Sequence, residues 1–214
     1  MTIGTQFMEL LRGKDIYRIL MNAECASYTL FGRVLDIGSG REAASYHRFF
    51  KKAENIRIIP LDQKIARIDF EQDPLPAKDG SVDMVLAFNC FEHIYRYSSL
   101  ISEIYRVLAD GGQVFGATPV LVGYHPDPKD YWRFTSEALR RIFQTAGFDV
   151  VVISTIGRGP CTAAFSQIEF MIPRFLKIIA MPCMAALDRV IFLLKPRLDK
   201  EKFALGLFFQ LIKK

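Results

Sequence analysis

The sequence predicts a doubly wound α/β fold: a mostly parallel sheet of seven strands covered by helices on both faces, with a helical insertion before the last strand. Three observations carry this expectation. Short apolar, β-rich runs alternate with segments of helical periodicity along most of the chain, and parallel neighbours need such crossovers. A strand-like run ends in Gly38-Ser39-Gly40 just before a helix-like one, the local order of a ligand-binding strand-turn-helix unit. With 214 residues, half of them apolar, the chain can enclose one core of this kind and a modest appendage, so it is read as a single domain over 1–214.

In chain order, residues 6–30 repeat Phe7, Leu10, Leu11, Ile16, Ile19 and Leu20 at helical spacing. They predict one or two helices capping the first strand, a cap assigned to residues 1–30. Residues 33–37 form the first strand and 42–52 a helix. A second strand over 56–61 ends at Asp62, and a short third over 65–70 precedes the turn Asp73-Pro74-Leu75-Pro76. The fourth strand is 82–88. A helix over 98–108, a turn at Asp110-Gly111-Gly112 and a strand over 113–118 follow, then a long loop over 119–133. Thr135 offers a capping hydroxyl to a helix that Gly147 ends, and 148–156 is the next strand. Residues 160–200 read as a helical insertion, and 203–212 as a final strand antiparallel to 148–156. Ligands of such a sheet sit at the carboxyl ends of its strands, which places the binding core within 31–156.

The four cysteines, at 25, 90, 161 and 183, lack the paired short spacing of a zinc knuckle or redox dithiol, and no residue set is read as a metal site. Free thiols, and an N-terminal stretch interrupted by charges rather than a secretory core, point to a cytoplasmic protein. The net charge of +5 is uneven. Residues 160–214 hold nine basic and four acidic side chains, whereas the first 159 residues balance at 19 each. The basic residues lie among apolar ones without an aromatic-interleaved groove, so nucleic acid is not expected as a partner.

The glycine loop alone suits several nucleotides. Asp36, two residues before Gly38, would repel a pyrophosphate but attract an ammonium group, which disfavours a nicotinamide dinucleotide. Asp62, after the second strand, can accept from two ribose hydroxyls at once.

Five ordered motifs extend this pattern. They are 34–40, then Leu61-Asp62, then Asp69-Phe70 with Leu75-Pro76 and Asp79-Gly80-Ser81-Val82-Asp83. Next come Asn89-Cys90-Phe91-Glu92-His93-Ile94 and Glu103-Ile104 with Arg106-Val107-Leu108 and Gly111-Gly112. Together they resemble the class I S-adenosylmethionine-dependent methyltransferase family, of the small-molecule and glycan type, across about 30–156. The resemblance implies a Rossmann-like methyltransferase fold, an enzyme, and S-adenosyl-L-methionine as cofactor. It assigns Asp36, Gly38 and Gly40 to the methionine portion, Asp62 to the ribose, Asp69 and Phe70 to the adenine, and Asn89 to the methionine end. Arg41 and Glu42 depart from the small or polar residues often found there.

Methyl transfer to a hydroxyl also needs a base. Glu92, His93, His125, Asp127 and Asp130 are the titratable side chains expected on the rim, and His125, Asp130 and His93 are assigned the catalytic role. The loop His125-Pro126-Asp127-Pro128-Lys129-Asp130-Tyr131-Trp132-Arg133-Phe134-Thr135 resembles one seen in methyltransferases of bacterial glycan assembly. That implies O-methylation of a sugar or lipid-linked glycan precursor. C-methylation of a quinone-like lipid and a non-catalytic cofactor-binding role stand as alternatives, and simple packing of Tyr131, Trp132 and Phe134 with an Arg133–Asp130 pair is the bland reading of the loop.

In the insertion, Pro173 and Pro182 interrupt an apolar stretch whose longest uncharged run, 178–187, is too short to span a bilayer. Basic residues beside an apolar helix face, over 168–200, suit peripheral contact with anionic membrane. A cover over the active site or a homodimer contact fits the same residues.

Overall fold

The computed structural model describes residues 3–39, 44–63 and 67–214. The described strands build a six-stranded sheet in the order β4-β2-β5-β6-β8-β7 and a separate two-stranded one. Strands β2 (Arg33–Ile37), β4 (Arg57–Leu61), β5 (Val82–Phe88) and β6 (Leu108–Pro119) run parallel. Strand β8 (Gly206–Lys213) inserts antiparallel between β6 and β7 (Phe148–Ile156). The small sheet joins β1 (Thr29–Leu30) to β3 (Lys51–Lys52).

The main sheet thus has six strands rather than seven. The third expected strand is absent from 67–70, while 64–66 lie outside the described residues. The cause is local: the Asp69 carboxylate accepts from the Glu71 amide (2.9 Å) and the Gln72 side chain (2.9 Å), and the Asp69 amide donates to Asp73 Oδ2 (2.8 Å). These side-chain bonds fold the segment into turns and compete with a ladder. The helix expected over 42–52 is also shorter. Among the described residues it is a single 3-10 turn, Ser45–Arg48, followed by β3.

Alternate residues of the parallel strands feed two cores. Val85 and Ala87 face a layer with α3 (Tyr97–Val107) and α4 (Ser136–Thr145), while Met84 and Leu86 face α2 (Ile16–Cys25) with Tyr46, Phe50 and Phe208. Burial on both faces is why these strands read as continuous apolar runs. Helix α4 starts as expected, with the Thr135 hydroxyl accepting from the Ala138 amide (3.2 Å), and Gly147 follows its end at φ +98°.

The insertion comprises α5 (Pro160–Ile168), a 3-10 turn (Glu169–Met171) and α6 (Arg174–Leu194). Pro182 does not interrupt α6, contrary to expectation; Pro173 precedes its first turn instead. Pro182 lacks an amide proton, but Met181, Ala185 and Asp188 form a buried stripe at i, i+4 and i+7 that carries the helix through this position. No described helix is long and apolar enough to cross a membrane. Two buried carboxylates fix the insertion, one internally and one to the body. Asp188 accepts from the Cys161 and Thr162 amides (2.7 and 3.0 Å) at the start of α5, and Glu169 accepts from the Ile16 amide (3.0 Å) at the start of α2. Helix α1 (Ile3–Leu11) lies against α6.

Candidate functional site

Strand β2 has β4 on one side and β5 on the other, so chain order reverses there and the loops after all three strands open into one crevice. Gly38 turns the first loop at φ +83°, a conformation suited to glycine, and its amide donates to the Leu61 carbonyl (2.8 Å). That bond holds the glycine loop beside Asp62. Across the crevice, Asn89 sits at φ +50° with its amide donating to Ala117 (2.8 Å). A non-glycine residue in this region at a strand end marks a position fixed by its surroundings. Those surroundings include the Tyr17 hydroxyl, which donates to Asn89 Oδ1 (2.5 Å). Burial, with Glu92 adding to it, pushes the Tyr17 phenol well above its ordinary pKa, so it remains a donor.

Asp36 is fully buried and already engaged. It accepts from the Tyr46 hydroxyl (2.6 Å) and from His47 Nε2 (2.5 Å), while the Ser39 hydroxyl donates to its carbonyl (3.0 Å). Burial and then Asp36 raise the Tyr46 pKa strongly. In this arrangement Asp36 shapes the turn from below. Phe70 is buried in the core, Asp69 organises its own turn, and Gly40 lies outside the described residues. The described donor set fits S-adenosylmethionine at two places: the backbone around Gly38 with Asn89 for the methionine portion, and Asp62 for the ribose.

Beyond Asn89, the 3-10 turn Phe91–His93 receives the 119–133 loop. The Glu92 carbonyl accepts from the Tyr131 and Trp132 amides (2.8 and 3.3 Å), and Trp132 Nε1 donates to Ile94 (3.1 Å). Because β5 and β6 are parallel neighbours, their following loops adjoin, and this brings His93 and His125 together with ring centroids 5.1 Å apart. His93 Nδ1 donates to the Lys129 carbonyl (2.6 Å) and His125 Nδ1 to Gly123 (2.8 Å). Glu92 Oε1 lies 3.8 Å from His93 Nε2 and 3.9 Å from His125 Nε2. The facing Glu92 carboxylate raises the His125 pKa, against a smaller opposing effect of burial.

Asp130 has a different office. Arg133 grips it through two bonds (2.6 and 2.8 Å), and its Oδ2 accepts from the His125 amide (3.0 Å). The guanidinium holds this carboxyl well below the usual carboxylate range, which makes Asp130 a weak base and a firm support for His125. The Arg133–Asp130 pair of the bland reading is therefore present. Sequence reasoning missed Tyr17, Tyr46 and His47 as site-building residues. Tyr17 stands 72 positions before Asn89 and nothing in its helical spacing marks it; His47 lies 11 positions after Asp36, within a segment expected to be an ordinary helix.

The methyltransferase domain family matches residues 23–153, more than half of the chain. A probable S-adenosylmethionine-dependent methyltransferase of Mycolicibacterium smegmatis is 33% identical over 82 residues, 36% of this chain and 32% of that protein. The chain thus matches about a third of that relative's length. Among solved structures, the [4+2]-cyclase SpnF superposes with a TM-score of 0.53 at 18% identity, covering 92% of this chain and 80% of its own. Phosphoethanolamine N-methyltransferase 2 of Haemonchus contortus, in complex with S-adenosyl-L-methionine, gives 0.52 at 17% identity over 90% of this chain and 52% of its own. The fold is that of a Rossmann-like methyltransferase. The chain belongs to the class I S-adenosylmethionine-dependent methyltransferase family, enzymes whose cofactor is S-adenosyl-L-methionine.

Proposed function

We propose that this protein, one methyltransferase domain over 1–214, methylates an oxygen of a sugar-like acceptor carried on a lipid. The observation that carries this reading is the pairing of an aromatic wall with a polar cluster on one rim. Tyr95 stacks on Trp132 (centroids 5.6 Å, 24° between planes) and meets Tyr131 at 5.3 Å, with Tyr95 and Tyr131 both exposed. Sugar rings present apolar faces to such surfaces and hydroxyls to the side. Beside the wall stand His93, His125 and Glu92.

When bound, S-adenosylmethionine supplies an electrophilic methyl group on a sulfonium, which passes to the acceptor oxygen as the carbon–sulfur bond breaks. The chain's part is alignment and proton management. Asn89, fixed by Tyr17, and the Gly38 turn orient the donor; the aromatic wall orients the sugar; the Glu92–His93–His125 cluster draws off the hydroxyl proton. Asp130 and Arg133 hold His125 in place.

The lipid part of the reading rests on a cavity of about 820 Å³ between α1 and α6, lined by Phe7, Leu10, Met181, Ala185 and Phe192 with Arg158 and Arg189 at its edge. An apolar slot edged by cations suits an acyl or prenyl chain beside an anionic head group.

Transfer of labelled methyl to sugar hydroxyls of lipid-linked glycans tests the proposal, together with calorimetry of S-adenosylhomocysteine. Label on sugar oxygen is the expected result, and His125→Ala should lower turnover more than donor affinity. Label on the ring carbon of a quinone-like lipid, or donor binding without transfer to any glycan, would overturn it.

A further inference from the structure

Glu92 is a buried side chain with no exposed surface, and neither of its carboxylate oxygens has a hydrogen-bond partner. Charged or neutral, such a group is costly unless something pairs with it. The two imidazoles that approach it do not supply a normal hydrogen bond at 3.8 and 3.9 Å. Their tautomers follow from the other ring nitrogen. A carbonyl oxygen only accepts, so the bonds to Lys129 and Gly123 put the proton on Nδ1 of both neutral rings. At His125 the weaker approach of Arg133 Nη2 to the same Nδ1, at 3.4 Å, does not change this, since the 2.8 Å carbonyl contact is the closer. Each neutral ring then turns an Nε2 lone pair toward the Glu92 carboxylate.

Three electron-pair donors converging on one space call for a cation between them. We propose that Glu92, His93 and His125 form a binding site for one divalent first-row transition-metal ion. The set is two imidazoles and one carboxylate, with all three ligand atoms within 4.8 Å of one another. Two ligands at about 2.0–2.1 Å on a tetrahedral ion lie about 3.4 Å apart, so the two Glu92–imidazole approaches need about half an ångström of contraction and the imidazole pair, within 4.8 Å, up to about 1.4 Å. Nδ1–H donation to backbone carbonyls is the support that metal-bound histidines ordinarily have, because it fixes the tautomer and aims the ring. Imidazole ligands favour iron, nickel, copper and zinc over magnesium, which prefers oxygen and water. Three protein ligands leave coordination positions open, and His125 is 37% exposed on the side facing solvent.

An acceptor oxygen at an open position would have its proton made more acidic by the ion; because the three ligand lone pairs would then be held by the metal, that proton would pass to solvent rather than to the cluster itself. That last step rests on the proposed methyl transfer to oxygen; metal affinity does not. The exposed Cys183, away from the cluster on α6, is replaced by serine so that it offers no competing thiolate.

Chelator-stripped Cys183→Ser protein is titrated with Zn²⁺ by calorimetry and with Co²⁺ by visible absorption. One equivalent is expected to bind, with a Co²⁺ spectrum of low coordination number that carries imidazole ligands. His93→Ala and His125→Ala, both at partly exposed positions, should each weaken Zn²⁺ by more than the roughly 10–100-fold that loss of a supporting hydrogen bond costs. Glu92→Gln, of the same shape, should do likewise. Absence of a single tight equivalent, or affinity unchanged in the His93→Ala/His125→Ala double variant, overturns the site. Calorimetry of S-adenosylhomocysteine on the same stripped protein separates the two readings: no donor binding with Zn²⁺ binding retained would count against the methyltransferase function and leave the metal site standing.

Discussion

Tyr17 shows how one side chain from the N-terminal helix reaches the centre of the crevice. Its hydroxyl is the partner that satisfies Asn89 Oδ1, and Asn89 is held at φ +50° at the end of β5, beside the glycine turn proposed to hold the donor. Tyr17→Phe removes the donor and leaves that oxygen unpaired, so stability should fall by about 1–2 kcal/mol. The same change frees Asn89 to relax, and S-adenosylhomocysteine should bind more weakly by calorimetry; an unchanged affinity would show that Asn89 is positioned without Tyr17. Glu103 gives a pH-dependent example. Its carboxylate accepts from Arg106 Nε and Nη2 (2.8 and 2.6 Å) and from the Leu75 amide (2.8 Å), and Arg106 holds its pKa below the ordinary value. A depressed acid stabilises the fold above its unfolded pKa of about 4.3 and loses that contribution as pH falls through the folded value. Glu103→Gln should therefore lower stability by about 1 kcal/mol at pH 7, with the gap to the native protein closing below about pH 4. Urea unfolding at pH 7 and pH 3 checks the sign, and a gap that persisted at pH 3 would count against it.

At the level of elements, the insertion is attached through helix ends. Asp188 on α6 accepts from two of the free amides at the start of α5, which closes the insertion on itself, while Glu169 accepts from one amide at the start of α2, which ties it to the body. Helix starts carry such unpaired amides and partial positive charge, so a buried carboxylate from another element is a strong tie. Asp188→Ala should cost about 2–3 kcal/mol by leaving those amides buried and unpaired. Limited proteolysis should then cut within 160–200 before it cuts the sheet; simultaneous cleavage of both would mean that insertion and core open together. These ties were illegible in the sequence, because the partners stand 27 and 153 positions apart and no spacing rule links them. The parallel strands were legible, since apolar burial on both faces leaves a continuous run, and so were the Thr135 cap and Gly147 stop, which act within a few residues. The third strand failed at Asp69, whose short-range bonds outweigh β propensity. The helix through Pro182 failed the other way, with tertiary burial outweighing a local breaker. At the site, the residue types of the crevice could be read from motif order, but the junction of Glu92, His93 and His125 depends on the pairing of β5 with β6.

For the molecule as a whole, the question is what meets the outer face of the insertion. Phe170, Met171, Phe175, Ile179, Leu193 and Leu194 are 65–80% exposed, far more apolar surface than scattered single residues account for. Arg174, Arg189, Lys195, Arg197 and Lys200 are exposed on the same segment, which carries the positive excess of the chain. The two terms can be compared. Each large apolar side chain moved from water into lipid contributes up to about 1.5–3 kcal/mol, and each basic residue near an anionic surface about 1 kcal/mol. Contributions of similar size imply binding that needs both: vesicles with anionic lipid should carry the protein to the top of a flotation gradient, neutral vesicles should carry much less, and raised salt should reduce the anionic fraction because screening acts on the charges alone. Phe175→Glu with Leu193→Glu should abolish flotation while leaving S-adenosylhomocysteine affinity unchanged, since both positions are on α6 and outside the crevice. A homodimer that buried this face would give the opposite pattern, a larger sedimenting species that the double substitution splits and no flotation with either lipid. Flotation on anionic vesicles is the outcome that a lipid-borne acceptor requires, because Leu193 belongs both to the exposed apolar face and to the lining of the slot between α1 and α6.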